Sequence, residues 1–178
     1  ILLSRTISYI VENRDNQSGQ SLYSWYFLKG NIMHAGNFVL TLHTHLPYVL
    51  NHGVWPHGSD WLCEAVAECY IPLLNAVQDL AHEGIAANIT FDISPVNCEQ
   101  LADPAFRTLF EDYCRNKQKL AREDAAYFLK HRHEAHQIYL AQYWEQWYGQ
   151  RLKDFTERHY SNMITSMKTL QDNEDDDG

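Results

Sequence analysis

The chain has 178 residues, with 14 Lys and Arg against 23 Asp and Glu, and a formal net charge of −9. This length suits one domain and is short of the roughly 250 residues of a complete (β/α)8 barrel enzyme. The acidic balance argues against a nucleic-acid partner, because nucleic-acid binders carry basic patches. No stretch approaches the ~18 uncharged apolar residues of a membrane-spanning helix, so no membrane partner is expected.

The chain begins with Ile1, and its first well-patterned stretch follows Met33. We predict that residues 1–32 are an upstream extension, with a short ordered lead-in as the alternative. Residues 33–171 are predicted to form the domain. The acidic run at residues 172–178 is predicted to be a disordered tail.

Two short apolar segments predict strands. Residues 37–48 contain an almost continuous β-prone run at 38–42, which is typical of a strand buried on both faces of a parallel sheet. Pro47 ends this strand. Residues 85–94 predict a second strand. Because a helical segment separates the two, we expect them to be parallel.

The helix between the strands has apolar residues at steps of three and four. Ser59 or Asp60 can cap its first turn, and Gly84 can cap its end. Pro72 lies inside it and predicts a kink or two abutting helices, because proline removes a backbone donor and clashes with the preceding turn.

The remainder of the chain, residues 97–170, shows only helical patterns, in segments 101–114, 117–128 and 135–170. Gly149 predicts a break or a kink in the last of these. The sequence therefore predicts the α/β class, with two parallel strands followed by a mainly helical segment.

The four cysteines lack the close thiolate pairs that a zinc ribbon needs. They are Cys63, Cys69, Cys98 and Cys114. We predict free, buried thiols and a reducing, cytoplasmic setting. The N-terminal residues also lack the long apolar region and cleavage site of a signal peptide.

His43 and His45 end the first predicted strand. Side chains at i and i+2 point to one side, and α/β barrels place active sites at the carboxyl ends of their strands. The pair can be a hydrogen-bonded structural pair, two ligands of a metal hydrolase, or part of a sugar site. A metal site needs later ligands. The only later cluster, His131, His133 and His136, is expected on a solvated helix face.

The segment after His45 favours a sugar site. Aromatic rings stack on the apolar face of a pyranose, and imidazoles bind its hydroxyls. Candidates of both kinds are concentrated here: Tyr48, His52, Trp55, His57 and Trp61.

These segments resemble a known family. Leu42-His-Thr-His-Leu-Pro-Tyr48, His52-Gly-Val-Trp-Pro-His-Gly58 and Asp60-Trp-Leu-Cys-Glu-Ala65 resemble the start of glycoside hydrolase family 57. The similarity is greatest to the 1,4-α-glucan branching enzymes of that family. Glu68-Cys-Tyr-Ile-Pro-Leu-Leu74 and Glu99-Gln-Leu-Ala-Asp103 resemble the family's next blocks, in the same order.

The resemblance implies the N-terminal part of an incomplete (β/α)7 TIM-like barrel that needs no cofactor. It implies an enzyme that cleaves α-1,4 glucan links and re-forms them as α-1,6 branches with retention. The partner would be an α-glucan polysaccharide. His43 and His45 match the family's His-x-His, whose first histidine lies in the donor subsite, and Trp55 matches a tryptophan near the glucan groove. We expect His43 to donate a hydrogen bond to a sugar hydroxyl or to the nucleophile region, and His45 to be its structural partner. Trp55 is expected to stack on sugar or to act as a lid.

The resemblance assigns no catalytic residue and no metal ligand to this chain. Retention needs a carboxylate nucleophile and a carboxyl acid/base, and the family carries both on later strands. We therefore expect an inactive N-terminal fragment of marginal stability, because two strands leave sheet edges unpaired. Glu64 and Glu68, at i and i+4, are expected to be surface carboxylates rather than a catalytic pair.

Three other functions remain open. The first is another activity of the same family, an α-amylase or a 4-α-glucanotransferase. The second is a metal-dependent hydrolase that uses His43 and His45. The third is a helical interaction module built on residues 97–170, whose aromatic side chains would form the contact surface.

Overall fold

The computed structural model describes residues 39–54, 57–85 and 87–175. The predicted extension at 1–32 and the substrate-binding candidate Trp55 lie outside the described residues.

The described elements comprise two strands and six α-helices. In chain order they are β1 (Leu40–Thr44), α1 (Ser59–Ala65), α2 (Ile71–His82), β2 (Ile89–Ile93), α3 (Pro95–Ala102), α4 (Pro104–Lys130), α5 (Ala135–Lys153) and α6 (Met163–Asp175). A π-helical turn at Val66–Tyr70 joins α1 to α2, and a second at Asp154–Arg158 follows α5. The strands pair in parallel, as predicted, and the rest is mainly helical. None of the helices in the described ranges is both long and apolar enough to cross a membrane.

The two-stranded sheet packs mainly through one face, although Thr90 on the other face is also buried. Leu42 and Phe91 are paired in register, and Phe91 lies against Leu74 of α2 and Met167 of α6. On the opposite face, His43 is exposed. The prediction that β1 is buried on both faces is therefore wrong for the described structure, because its helices cover one side of the sheet.

Both strands are shorter than predicted, because the chain turns into a helix directly after β2. The Ser94 backbone N–H donates to the Thr44 carbonyl (3.1 Å). The Ser94 hydroxyl in turn accepts from the Asn97 N–H (3.4 Å) and caps α3. Strand pairing ends there, so His45 lies just beyond β1.

Backbone carbonyls, rather than a side chain, cap α1. The Ser59 N–H donates to the Gly53 carbonyl (3.0 Å), and the Asp60 N–H donates to the Val54 carbonyl (3.2 Å). The N-cap residue is Gly58, with no side-chain hydrogen bond. The predicted capping by Ser59 or Asp60 is wrong, because the preceding loop folds back and satisfies these donors itself.

This close loop makes Gly58 a sensitive position. A Cβ atom on Gly58 would lie 2.2 Å from the Gly53 carbonyl oxygen, although its φ of −102° suits any residue. We expect Gly58→Ala to lower the free energy of unfolding by about 1–3 kcal/mol, measured by urea denaturation. Gly84→Ala is the control. Gly84 has a φ of +73° and open space, so it tests backbone strain without crowding. An unchanged Gly58→Ala stability would contradict this account of the loop.

Pro72 is accommodated by the first π-helical turn. Proline has no N–H, so it cannot donate to the carbonyl of Glu68 four residues earlier. The chain widens there, and the Ile71 N–H reaches the Val66 carbonyl five residues back. Gly84 follows α2 with a positive φ and donates to the Ala81 carbonyl (3.0 Å), which confirms it as the C-terminal cap.

The helical segment differs from its prediction in three ways. One helix, α4, spans residues 104–130, where two segments were expected. Gly149 does not interrupt α5. A Cβ there would lie 2.5 Å from Gln118 Nε2, so the glycine leaves room for the end of the Gln118 side chain, which donates to the Glu145 carbonyl (3.4 Å). The last helix continues past residue 171 to Asp175, into the expected tail, since an established helix gains a hydrogen bond with each added residue.

An aromatic cluster joins the C-terminal π turn to α4. Phe155 is fully buried, with ring centroids 4.6 Å from Phe110 and 6.2 Å from Phe106. The turn at Asp154–Arg158 therefore anchors the end of the long helical hairpin in the core. This contact ties the helical segment to the core that supports the sheet.

All four cysteines are free, as predicted, but they are not all buried. Cys69 is exposed, and Cys98 is half-buried with its side chain packed against the core. Burial raises the pKa of Cys114 to about 12 and also raises that of Cys63. Neither buried thiol is therefore a thiolate nucleophile at neutral pH.

Candidate functional site

The carboxyl end of the sheet carries the predicted histidine pair. The rings of His43 and His45 are stacked, with centroids 6.3 Å apart and an interplanar angle of 13°. Their shared orientation agrees with the two-residue repeat of an extended chain. His43 is also paired in register with Asp92 on β2, and its Nδ1 lies 2.7 Å from Asp92 Oδ2. Asp92 was not predicted from the sequence. The only sequence signal was a polar residue between the buried Phe91 and Ile93.

A buried glutamine holds the loop that follows the histidine pair. The Oε1 of Gln100 accepts from the backbone N–H of Val49 (2.6 Å) and of Leu50 (3.4 Å). Its Nε2 donates to the Pro47 carbonyl (3.1 Å). Gln100 is fully buried. Gln100 on α3 thus provides the hydrogen-bond partners of three backbone groups of the loop and fixes the path of the loop.

A second buried amide joins the strand end to two helices. Asn97 Nδ2 donates to the hydroxyl of Tyr70 (3.0 Å) and to that of Thr44 (3.4 Å). Burial raises the pKa of Tyr70, so its hydroxyl stays protonated. The end of β1, the first π turn and the start of α3 therefore form one supported unit beneath His43 and His45.

The predicted aromatic candidates form two separate contacts. Tyr48 and His52 meet edge to face, with ring centroids 5.7 Å apart, and His52 Nδ1 lies 2.8 Å from the Leu50 carbonyl oxygen. His57 and Trp61 are also 5.7 Å apart. Tyr48 and Trp61 are both exposed. Their rings are thus accessible to a ligand, as stacking on sugar requires.

The later histidines are exposed, as predicted, but two of them are not helical. His131 and His133 lie in the turn between α4 and α5, and only His136 lies within a helix. Within the described ranges, no group of three or more His, Cys, Asp or Glu side chains could hold a metal ion.

Glu64 and Glu68 are both exposed on the outer side of the α1 segment, as predicted for surface carboxylates. Desolvation raises the pKa of Glu68, with a smaller contribution from Glu64 and an opposing one from Lys117. Neither carboxylate contacts the histidine pair through a described hydrogen bond.

A buried polar cluster behind α2 was not predicted. His159 is 1% exposed, and its Nε2 donates to Asn75 Oδ1 (2.9 Å). Asn75 Nδ2 donates to Asp154 Oδ2 (2.9 Å), which Arg151 also contacts (3.1 Å). Burial lowers the pKa of His159 to about 4, and the nearby Arg158 adds to this effect. This cluster fastens the C-terminal π turn to α2.

Comparison with known proteins identifies a common class. No family model matches the chain. The 1,4-α-glucan branching enzyme of Thermococcus kodakarensis is 33% identical over 147 residues, covering 75% of this chain. A probable 1,4-α-glucan branching enzyme of Mycobacterium tuberculosis is 41% identical over 91 residues, covering 51% of this chain. The chain spans about a fifth of each relative, 21% and 17% respectively.

Solved structures agree with this comparison. The branching enzyme of Pyrococcus horikoshii, of the family-57 type, matches with a TM-score of 0.69 and 32% identity, over 76% of this chain and 24% of that one. The α-amylase AmyC of Thermotoga maritima matches with a TM-score of 0.64 and 25% identity, over 76% of this chain and 25% of that one.

The fold and the sequence thus match those of family-57 carbohydrate-active enzymes. Within that class, the chain is homologous to branching enzymes, and the resemblance predicted from the sequence is confirmed.

Proposed function

We propose that the chain supplies the donor-side part of a 1,4-α-glucan branching site. In this proposal β1 and β2 are the first strands of an incomplete (β/α)7 barrel, and their exposed face points into the glucan groove. The observation that carries it is the polar group at the carboxyl end of the sheet, where His43, His45 and Asp92 lie together on a supported strand end.

Three features of this end of the sheet suit a sugar. The imidazoles offer hydrogen-bonding groups for hydroxyls, and the exposed rings of Tyr48 and Trp61 offer stacking surfaces. The buried amides of Asn97 and Gln100 hold the strand end and its loop, so the binding groups are positioned before a ligand arrives. Trp55 belongs to the same proposed site through the family motif.

The chemical step requires two carboxyl groups, and we assign neither of them to a residue of this chain. Retention proceeds through a covalent intermediate and needs two carboxyl groups about 5–5.5 Å apart. We place both on later strands of the longer enzyme and expect residues 1–178 alone to form no α-1,6 links. The proposed setting is cytoplasmic glucan storage.

Hydrolysis of α-glucan is the second candidate. The similarity to the α-amylase AmyC favours it, because that structure matches the same share of this chain. We rank branching first, because the Thermococcus kodakarensis relative is a branching enzyme and the Mycobacterium tuberculosis relative is a probable branching enzyme.

Titration calorimetry, which measures the binding of maltoheptaose to the 178-residue chain, tests the proposal. We expect saturable binding in the millimolar range, with no binding of cellohexaose. His43→Ala should weaken the affinity about tenfold, which corresponds to about 1.4 kcal/mol for one lost polar contact. His136→Ala, an exposed histidine on α5, is the matched control and should bind as the parent does. Equal affinity of the His43→Ala variant and the parent would overturn the assignment.

A further inference from the structure

Asp92 on β2 is the neighbour of His43 on β1, and the two side chains share one face of the sheet. Their backbones are direct partners in the parallel register. Because side chains alternate along a strand, two residues in register emerge on the same face. The Nδ1···Oδ2 distance of 2.7 Å is that of a charge-assisted hydrogen bond.

The contact defines which ring nitrogen of His43 carries a proton. A carboxylate only accepts hydrogen bonds, so Nδ1 must be the donor. In the neutral imidazole the other nitrogen, Nε2, then keeps its lone pair and accepts hydrogen bonds. The ring of His45 lies nearly parallel to that of His43, with the two centroids 6.3 Å apart.

The pair contributes little to folding. The side chains of His43 and Asp92 are 60% and 47% exposed. Exposed ion pairs contribute little to protein stability. The contact therefore orients an imidazole on an open face without holding the core together. This is the arrangement by which a second residue fixes the tautomer of a functional histidine.

We propose that Asp92 is a positioning residue that holds His43 with its proton on Nδ1 and presents Nε2 to the glucan. The inference rests on the proposed function for its ligand. It changes the expected role of His43. When the ring is neutral, Nε2 accepts a hydrogen bond from a sugar hydroxyl instead of donating one.

The test combines two measurements on the 178-residue chain. The first is ¹⁵N NMR of the imidazoles at pH 8.5, which distinguishes the Nδ1–H from the Nε2–H tautomer. We expect His43 to hold the Nδ1–H form and Asp92→Ala to shift it toward Nε2–H. Asp92→Asn can donate its amide N–H to Nδ1, so it should keep the contact but leave His43 in the Nε2–H form. Asp124→Ala, which removes an exposed carboxylate on α4, should change nothing.

The second measurement is maltoheptaose affinity of the same variants. We expect Asp92→Ala to weaken binding about fivefold, and Asp92→Asn, which holds the ring in the wrong tautomer, to weaken it by a similar amount. An Nε2–H form in the parent, or a tautomer unaffected by Asp92→Ala, overturns the proposal. Equal affinity of parent and Asp92→Ala also overturns it. If the tautomer shifts as expected but the parent binds no maltoheptaose, the proposed function fails and the hydrogen-bond assignment stands.

Discussion

Replacing Gln100 by leucine is expected to lower the free energy of unfolding by about 3 kcal/mol. Leucine fills similar volume but leaves the Val49 N–H and the Pro47 carbonyl without partners in a buried site. Each unsatisfied buried group costs roughly 1–3 kcal/mol. Urea denaturation followed by circular dichroism measures the change. Faster amide exchange at Val49 should accompany it, because that N–H loses its only described acceptor.

The neighbouring position supplies the control for this prediction. Glu99 lies on the same helix but is exposed, so Glu99→Gln should stay within about 0.5 kcal/mol of the parent. A Gln100→Leu variant as stable as Glu99→Gln would show that the loop after the histidine pair does not depend on this side chain.

Acidification is expected to destabilise the protein through His159. The pKa of this histidine is lowered from an ordinary 6.5 to about 4 in the folded chain. The unfolded chain therefore binds a proton first as the pH falls. The stabilisation is fully present above pH 6.5 and is lost progressively down to about pH 4. The full difference corresponds to about 3 kcal/mol.

The structure explains why protonation of this imidazole is unfavourable. The imidazole is buried and lies next to Arg158, and both features lower its pKa. The carboxylate of Asp154 raises the pKa and offsets these effects only in part. The Nδ1 atom has no hydrogen-bond partner in the described part of the chain, so a proton there would be unsatisfied.

Urea denaturation at pH 7 and pH 4.5, on the parent and on His159→Gln, measures this effect. The variant should lose less stability on acidification than the parent. The exposed His136→Gln is the control and should follow the parent. Parallel losses in parent and His159→Gln would contradict the role of His159. An NMR titration of the parent, in which His159 stays neutral to about pH 4, gives the same answer without a substitution.

The sequence predicted the elements that depend on local pattern. The parallel strands, the orientation of His43 and His45, and the cap at Gly84 all follow from residue periodicity and backbone preference. The family motifs also predicted the class of enzyme. The sequence therefore predicted the candidate site at the carboxyl end of β1.

Features that depend on register or on distant contacts were not predicted. Asp92 faces His43 only because β1 and β2 pair in one register, and a shift of one residue would place a buried side chain there instead. The roles of Gln100 and His159 require loop and helix positions that no local pattern encodes. Gly149 shows the same limit. A break or a kink was expected, but the glycine leaves room for the Gln118 side chain of the facing helix.

The most direct test of the proposed glucan site is a histidine-selective NMR titration of the 178-residue chain with maltoheptaose. The account predicts that the imidazole signals of His43 and His45 move together and saturate. It also predicts that the signals of His131, His133 and His136, at the far end of the helical hairpin, stay in place. Unchanged signals at His43 and His45, or movement confined to the helical hairpin, would contradict a glucan site at the carboxyl end of the sheet.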